Sequence, residues 1–187
     1  MYKKYLIVAS KKDKAGINIT TALSQFQNTE NFSFYLRDED IISDENLNHE
    51  KINQYDFVIF ASKHKSEAGG KTLSIHAPGN WRNADFGGVK EKVCKTSALF
   101  QKQIFEKLNK NAEELKNYPA KSSRDPKGYQ VTLECTHHGP LIDKPCIFIE
   151  IGSTETEWND RRAAFIVAKT IAHQIEDFKE NPYNEVA

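Results

Sequence analysis

Asp56-Phe-Val-Ile-Phe-Ala61 is an unbroken run of apolar, β-forming side chains, followed by Ser62-Lys-His64. Such a run reads as a strand buried on both faces, the kind that helix-covered parallel sheets contain. Upstream, Tyr5-Leu-Ile-Val-Ala9 has the same character. Between the two, Ala15, Ile19, Leu23 and Phe26 fall on one stripe, which predicts a helix over 14–26. Phe32–Leu36 reads as a short strand, and residues 37–54 as a polar, acidic stretch anchored by Ile41, Ile42, Leu47 and Ile52. Residues 62–92 hold Gly69, Gly70, Pro78, Gly79, Gly87 and Gly88, which predicts a long ordered loop of the kind that carries function. Phe100, Ile104, Leu108 and Leu115 predict a helix over 96–116, and residues 117–128 a turn-rich connector. Tyr129–Cys135 alternates like a strand and Cys146–Ile151 reads as a buried one. Ser153 and Thr154 then open a long helix, with Thr154 and Glu157 spaced as a capping box. The expectation is a single α/β domain over 1–187, with a central mixed, largely parallel sheet flanked by helices on both faces.

At 187 residues the chain is long enough for one domain with a real core. Eleven Phe, seven Tyr and two Trp exclude a disordered chain, although the mean hydropathy is −0.65. No run approaches the ~18 apolar residues of a membrane span. Tyr5–Ala9 is too short for the core of a secretion signal. Cys94, Cys135 and Cys146 make an odd count with no CxxC, which argues against a disulfide framework. A cytoplasmic protein with no membrane partner is expected. The zero net charge hides an asymmetry: residues 1–14 carry +4, 15–60 carry −6, 61–127 carry +7 and 128–187 carry −5. The basic block suits a local polyanion contact, but the neutral total is unlike a general nucleic-acid binder, and DNA is not an expected partner.

Four of the six histidines, His64, His76, His137 and His138, follow strands or lie in glycine-rich loops. Ligands of open α/β sheets bind beyond the carboxyl ends of strands. Parallel strands would bring His64, Glu134, His137, His138, Glu150 and Ser153 to one rim. In Glu134-Cys-Thr-His-His-Gly-Pro140, a carboxylate beside two imidazoles is the equipment of a hydrolytic site, and Glu134, His137 and His138 are the catalytic candidates. The plain alternative is a loop whose histidines bond backbone. Ser74-Ile-His-Ala-Pro-Gly-Asn-Trp81 adds His76, the Asn80 amide and the flat face of Trp81, able to hold an adenine or an aromatic side chain. Asn80 as a turn former and Trp81 as a core cap is the competing reading. In Glu150-Ile-Gly-Ser-Thr-Glu-Thr-Glu-Trp158, Glu155 and Glu157 either hold an ammonium group or cap the helix. Cys135 is expected to be buried in its strand and inert. Nucleotide-loop, nucleophile-elbow and HExxH signatures are absent from the sequence.

Asp13-Lys-Ala-Gly-Ile-Asn18, Phe60-Ala-Ser-Lys-His64, His76-Ala-Pro-Gly-Asn-Trp81, Glu134-Cys-Thr-His-His-Gly-Pro140 and Glu150-Ile-Gly-Ser-Thr-Glu-Thr-Glu-Trp158 with Asp160-Arg161 occur in order along nearly the whole chain. Together they resemble the D-aminoacyl-tRNA deacylases of the archaeal and plant type. The resemblance implies a cytoplasmic, zinc-dependent hydrolase with a core similar to peptidyl-tRNA hydrolase and the phosphorylase-like folds. It would cut the ester between a D-amino acid and the terminal adenosine of tRNA. On that reading His76, His137 and His138 hold Zn²⁺, Glu134 is the base with Glu150 as its alternate, and His64, Asn80, Trp81, Glu150, Ser153 and Glu155 bind substrate. Segment 61–127 would receive acceptor-stem phosphates, and a monomer is expected. Members of that family continue into a segment with a Gly-Gly-His-Tyr-Ala-Pro type motif, which this sequence does not contain. The alternatives are a piece of a longer protein, a short form with a different ligand set, a non-catalytic tRNA-binding relative, or a metal-assisted hydrolase or phosphorylase of a small molecule.

Overall fold

A computed structural model describes residues 1–26, 31–44, 46–117 and 128–180. The two apolar runs become neighbouring parallel strands. β1 (Tyr5–Ser10) lies between β2 (Phe32–Arg37) and β3 (Phe57–Lys65), with Tyr5 opposite Phe57 and Val8 opposite Phe60. β4 (Thr72–His76), β5 (Gln130–Leu133) and β6 (Cys146–Ser153) complete one six-stranded sheet in the order β2-β1-β3-β6-β4-β5. All neighbouring pairs are parallel except β4 against β6.

That exception corrects two expectations. Residues 62–92 are not one loop, because β3 runs to Lys65 and β4 occupies Thr72–His76. Only residues 66–71 join these strands, fewer than the roughly a dozen that a parallel crossover needs, so β4 must run back. β5 follows β4 in parallel through the crossover helix α3 (Ala98–Asn117). The strand ends therefore do not all meet at one rim.

Alternation along the strands sorts side chains onto two faces. Tyr5, Ile7, Ala9, Phe57, Ile59, Ala61, Leu73, Ile75, Ile147, Ile149 and Ile151 face the larger core. It is covered by α1 (Lys14–Leu23), α3 and the C-terminal helix, whose apolar stripes supply Ile19, Phe100, Ile104, Val167 and Ile171. Leu6, Val8, Val58, Phe60, Cys146 and Phe148 face the other way. They meet Ile41 of a 3₁₀ turn (Ile41–Ser43), Leu47, and Ile52 of the short helix α2 (His49–Ile52).

The expected final helix is two. The Thr154–Glu157 capping box is formed, but it caps α4 (Glu155–Trp158) alone. The chain turns at Asn159, and Asp160 caps α5 (Arg161–Asp177) by accepting the Arg162 amide at 3.0 Å. Residues 118–127 of the predicted connector lie outside the described residues. Among the described residues, no helix is long and apolar enough to cross a membrane.

Phe100 pins α3 to the sheet. It is fully buried and stacks on Phe57 with ring centroids 4.2 Å apart. Phe100→Ala should cost about 3–5 kcal/mol, read as a lower urea midpoint. A wild-type midpoint would contradict this packing.

Candidate active site

The smaller face turns polar where the strands continue. Beyond Phe60, the next residues on that side of β3 are Ser62 and His64; on β4 they are Ser74 and His76; on β6, Glu150 follows Phe148. The register sets Ser62 and Ser74 on either side of Glu150. Ser62 Oγ donates to Glu150 Oε1 at 2.5 Å and Ser74 Oγ to Oε2 at 3.3 Å.

Glu150 is only 2 % exposed. Burial alone would raise its pKa, but the contacts with His64 and Ser62 hold the carboxylate ionised, well below the usual range. His64 Nδ1 lies 3.4 Å from Glu150 Oε2 and 3.4 Å from Glu134 Oε1. Its pKa is raised by the contact with Glu150, against the effect of burial.

Three imidazoles stack at the end of β4. His76 and His137 lie 4.2 Å apart, and His138 stands edge-on to both. Each turns Nδ1 to a main-chain carbonyl: His76 to Ala77 at 3.1 Å, His137 to Cys135 at 2.8 Å, His138 to Gly139 at 2.6 Å. A carbonyl only accepts, so Nδ1 carries the proton and a neutral ring keeps its lone pair on Nε2. His76 is completely buried, yet its Nε2 has no hydrogen-bond partner and lies 3.6 Å from Glu150 Oε2. A buried nitrogen without a partner is costly.

One donor atom from each of His76, His137 and His138 lies within 4.8 Å of the others, and the same holds for His64, Glu134 and Glu150. Glu134 connects the groups, with Oε2 3.8 Å from His137 Nε2. Carbonyl-anchored imidazoles clustered beside carboxylates fit a divalent cation.

Main-chain contacts hold this arrangement. His138 adopts φ 47°, a left-handed conformation uncommon outside glycine. Its carbonyl accepts the Gly79 amide at 2.7 Å, and the next amide, Gly139, donates to Phe86 at 3.1 Å. A Cβ on Gly87 (φ 79°) would strike the Ile42 carbonyl, and one on Gly139 would strike the Gly88 amide. Three backbone segments thus touch with no side chain between them. Beside this junction opens a cavity of about 570 Å³, bounded by Ser62, Glu150, His64, His137, His138 and Phe86.

Of the residues read from sequence, His64, His76, Glu134, His137, His138 and Glu150 are brought together. The others are not. The Asn80 amide is spent on the Gly87 carbonyl at 2.9 Å, fastening its own loop. Trp81 is exposed and Ser153 donates to the Gly70 carbonyl at 2.7 Å; neither lines the cavity. Glu155 lies in the first turn of α4, also outside it, and Glu157 is committed to the capping box. Cys135 is exposed, against expectation, because β5 ends at Leu133. Ser62, Ser74 and Phe86 were missed. Polar side chains at every second position of otherwise buried strands were the available signal for the serines.

The family model for D-aminoacyl-tRNA deacylase matches residues 51–186. The chain belongs to the D-aminoacyl-tRNA deacylase family. A D-aminoacyl-tRNA deacylase of Archaeoglobus fulgidus is 38% identical over 186 residues, covering 91% of this chain and 63% of the relative. One from Methanocaldococcus jannaschii is 32% identical over 184 residues, covering 97% and 67%. The crystal structure of AF0625, a conserved protein of unknown function, superposes with TM-score 0.81 at 33% identity, covering 94% of this chain and 64% of that one. This family member therefore spans about two thirds of the length of these relatives.

The electrostatics of the histidine cluster predict how it titrates in chelator-treated protein. Burial, helped by His76, lowers the His138 pKa to about 4, whereas that of His64 is raised above 6.5. Histidine-ring NMR should show His138 staying neutral as pH falls, until about pH 4, while His64 keeps its proton above pH 6.5. Titration of His138 at an ordinary value would contradict the buried placement.

Proposed function

We propose that this chain hydrolyses the ester bond of D-aminoacyl-tRNA at its acceptor end, releasing tRNA and a D-amino acid. One observation supports the reading most: in a member of this family, His64, His137, His138 and Glu150 line one cavity, with His76 stacked on His137 and Glu134 beside His64 and His137. An aminoacyl ester is already activated, so hydrolysis needs a deprotonated water, stabilisation of the oxyanion and a proton for the leaving ribose oxygen. Zn²⁺ fits the donor set, with His76, His137 and His138 as ligands and the Glu150 side of the site adjoining. When bound, zinc supplies Lewis acidity that acidifies water and polarises the ester carbonyl.

The chain's own residues do the rest. Glu134 lies between His64 and His137 and is the proposed acceptor of the water proton. Glu150 is held ionised by its neighbours, which suits it to fix charge and orientation rather than to take protons. His64, its pKa raised, is the proposed source of the proton for the leaving oxygen. A monomer is the proposed active unit. The substrate belongs to translation, and the cytoplasm is the proposed location of the reaction.

The test is ester loss from D-Tyr-tRNA and L-Tyr-tRNA, with and without zinc. Selective loss of the D ester, stopped by a chelator and restored by zinc, is expected. His138→Ala should reduce turnover about a hundredfold or more while the far-ultraviolet circular dichroism stays unchanged. Near-normal turnover would remove His138 from the mechanism. tRNA binding without ester loss would mean a non-catalytic binding protein, and neither activity would mean a small-molecule substrate.

Phosphate contact with the basic segment 61–127 makes a separate prediction. The rate at low tRNA concentration should fall steeply with added salt. A rate flat from low to physiological salt would refute that contact.

A further inference from the structure

Phe86 is one of the most exposed large apolar side chains described, at 70 %, yet it lines the cavity beside His137 and His138. Its main chain is rigidly set. Its carbonyl accepts the amide of Gly139, the residue after His138, and the following Gly87 is locked against the Ile42 carbonyl and tied to Asn80. A flat apolar ring is thus left exposed on the border of the cavity that His137 and His138 also line. Burying it would be favourable, and no aromatic ring of the described residues stacks on it. Trp81, the aromatic that the sequence suggested for this task, lies outside the cavity.

We propose that Phe86 is the platform on which the terminal base of the tRNA acceptor end stacks, a binding and positioning contact for the nucleotide half of the substrate. The inference rests on the deacylase reading. In that reaction the leaving oxygen belongs to the ribose, so the base lies one sugar ring from the carbonyl under attack. A ring bordering the same cavity as His137 and His138 stands in that shell. Lys63 and Lys65 line the cavity as well, alongside the acidic Asp13, Asp40 and Glu67. Base–aromatic stacking of this kind tolerates any base and is lost on truncation to alanine.

Two measurements on the full chain test this. With D-Tyr-tRNA and D-Ala-tRNA, Phe86→Ala should raise KM about tenfold and leave kcat unchanged, equally for both amino acids, and Phe86→Trp should restore KM. With uncharged tRNA whose terminal adenine is replaced by 2-aminopurine, wild-type protein should quench the fluorescence on binding and Phe86→Ala should not. An unchanged KM with full quenching in Phe86→Ala would overturn the proposal. A KM effect confined to D-Tyr-tRNA would also overturn it, because the ring would then hold the amino-acid side chain. Quenching by wild-type protein but not by Phe86→Ala, with no ester hydrolysed by wild-type protein, would sink the deacylase reading while leaving Phe86 as the base platform.

Discussion

A carboxylate in the middle of a sheet, removed from water, is destabilising unless neighbouring groups answer its charge. Glu150 is such a group, and much of the smaller face is arranged around it. Serines stand opposite it on both flanking strands, where a buried strand would otherwise carry β-branched residues. His64 and His76 approach the same oxygen from two sides. Replacing any one of these partners leaves the others facing an incompletely compensated charge, so the cluster stands or falls together.

The two faces of the sheet divide the work. The long helices α1, α3 and α5 all pack on the Ile147, Ile149 and Ile151 side, and their burial holds the strands in register. That leaves the Phe148 and Glu150 side to be covered by short elements and loops. Loops can open a cavity where a helix would close it. The cost is that the loops need another source of rigidity. Backbone-to-backbone contact among residues 42, 87–88 and 139 provides it, and the same contacts fix the His138 turn and the Phe86 main chain.

The order of the sheet also explains how residues distant in sequence become neighbours. β4 lies antiparallel to β6, so His76 at its end falls two positions from Glu150 along the register. β5, parallel to β4, then delivers Glu134, His137 and His138 to the same place, with Pro78 bridged to His137. Had β4 run parallel, its histidine would have been carried to the opposite end of the sheet.

The sequence alone determined what local pattern can determine. Apolar runs placed β1, β3 and β6, helical spacing placed α1 and α3, and Thr154 with Glu157 placed a cap. The histidine and glutamate cluster was legible because polar groups of that kind beside buried strands need partners, and its motifs pointed to the family. Only the tertiary structure decided the direction of β4, the exposure of Cys135, and the removal of Asn80, Trp81, Ser153 and Glu155 from the cavity. Those outcomes depend on which segments meet across the sheet. Neither periodicity nor composition encodes that, because an asparagine that fastens a loop and one that binds a ligand look alike until the acceptor of the hydrogen bond is known.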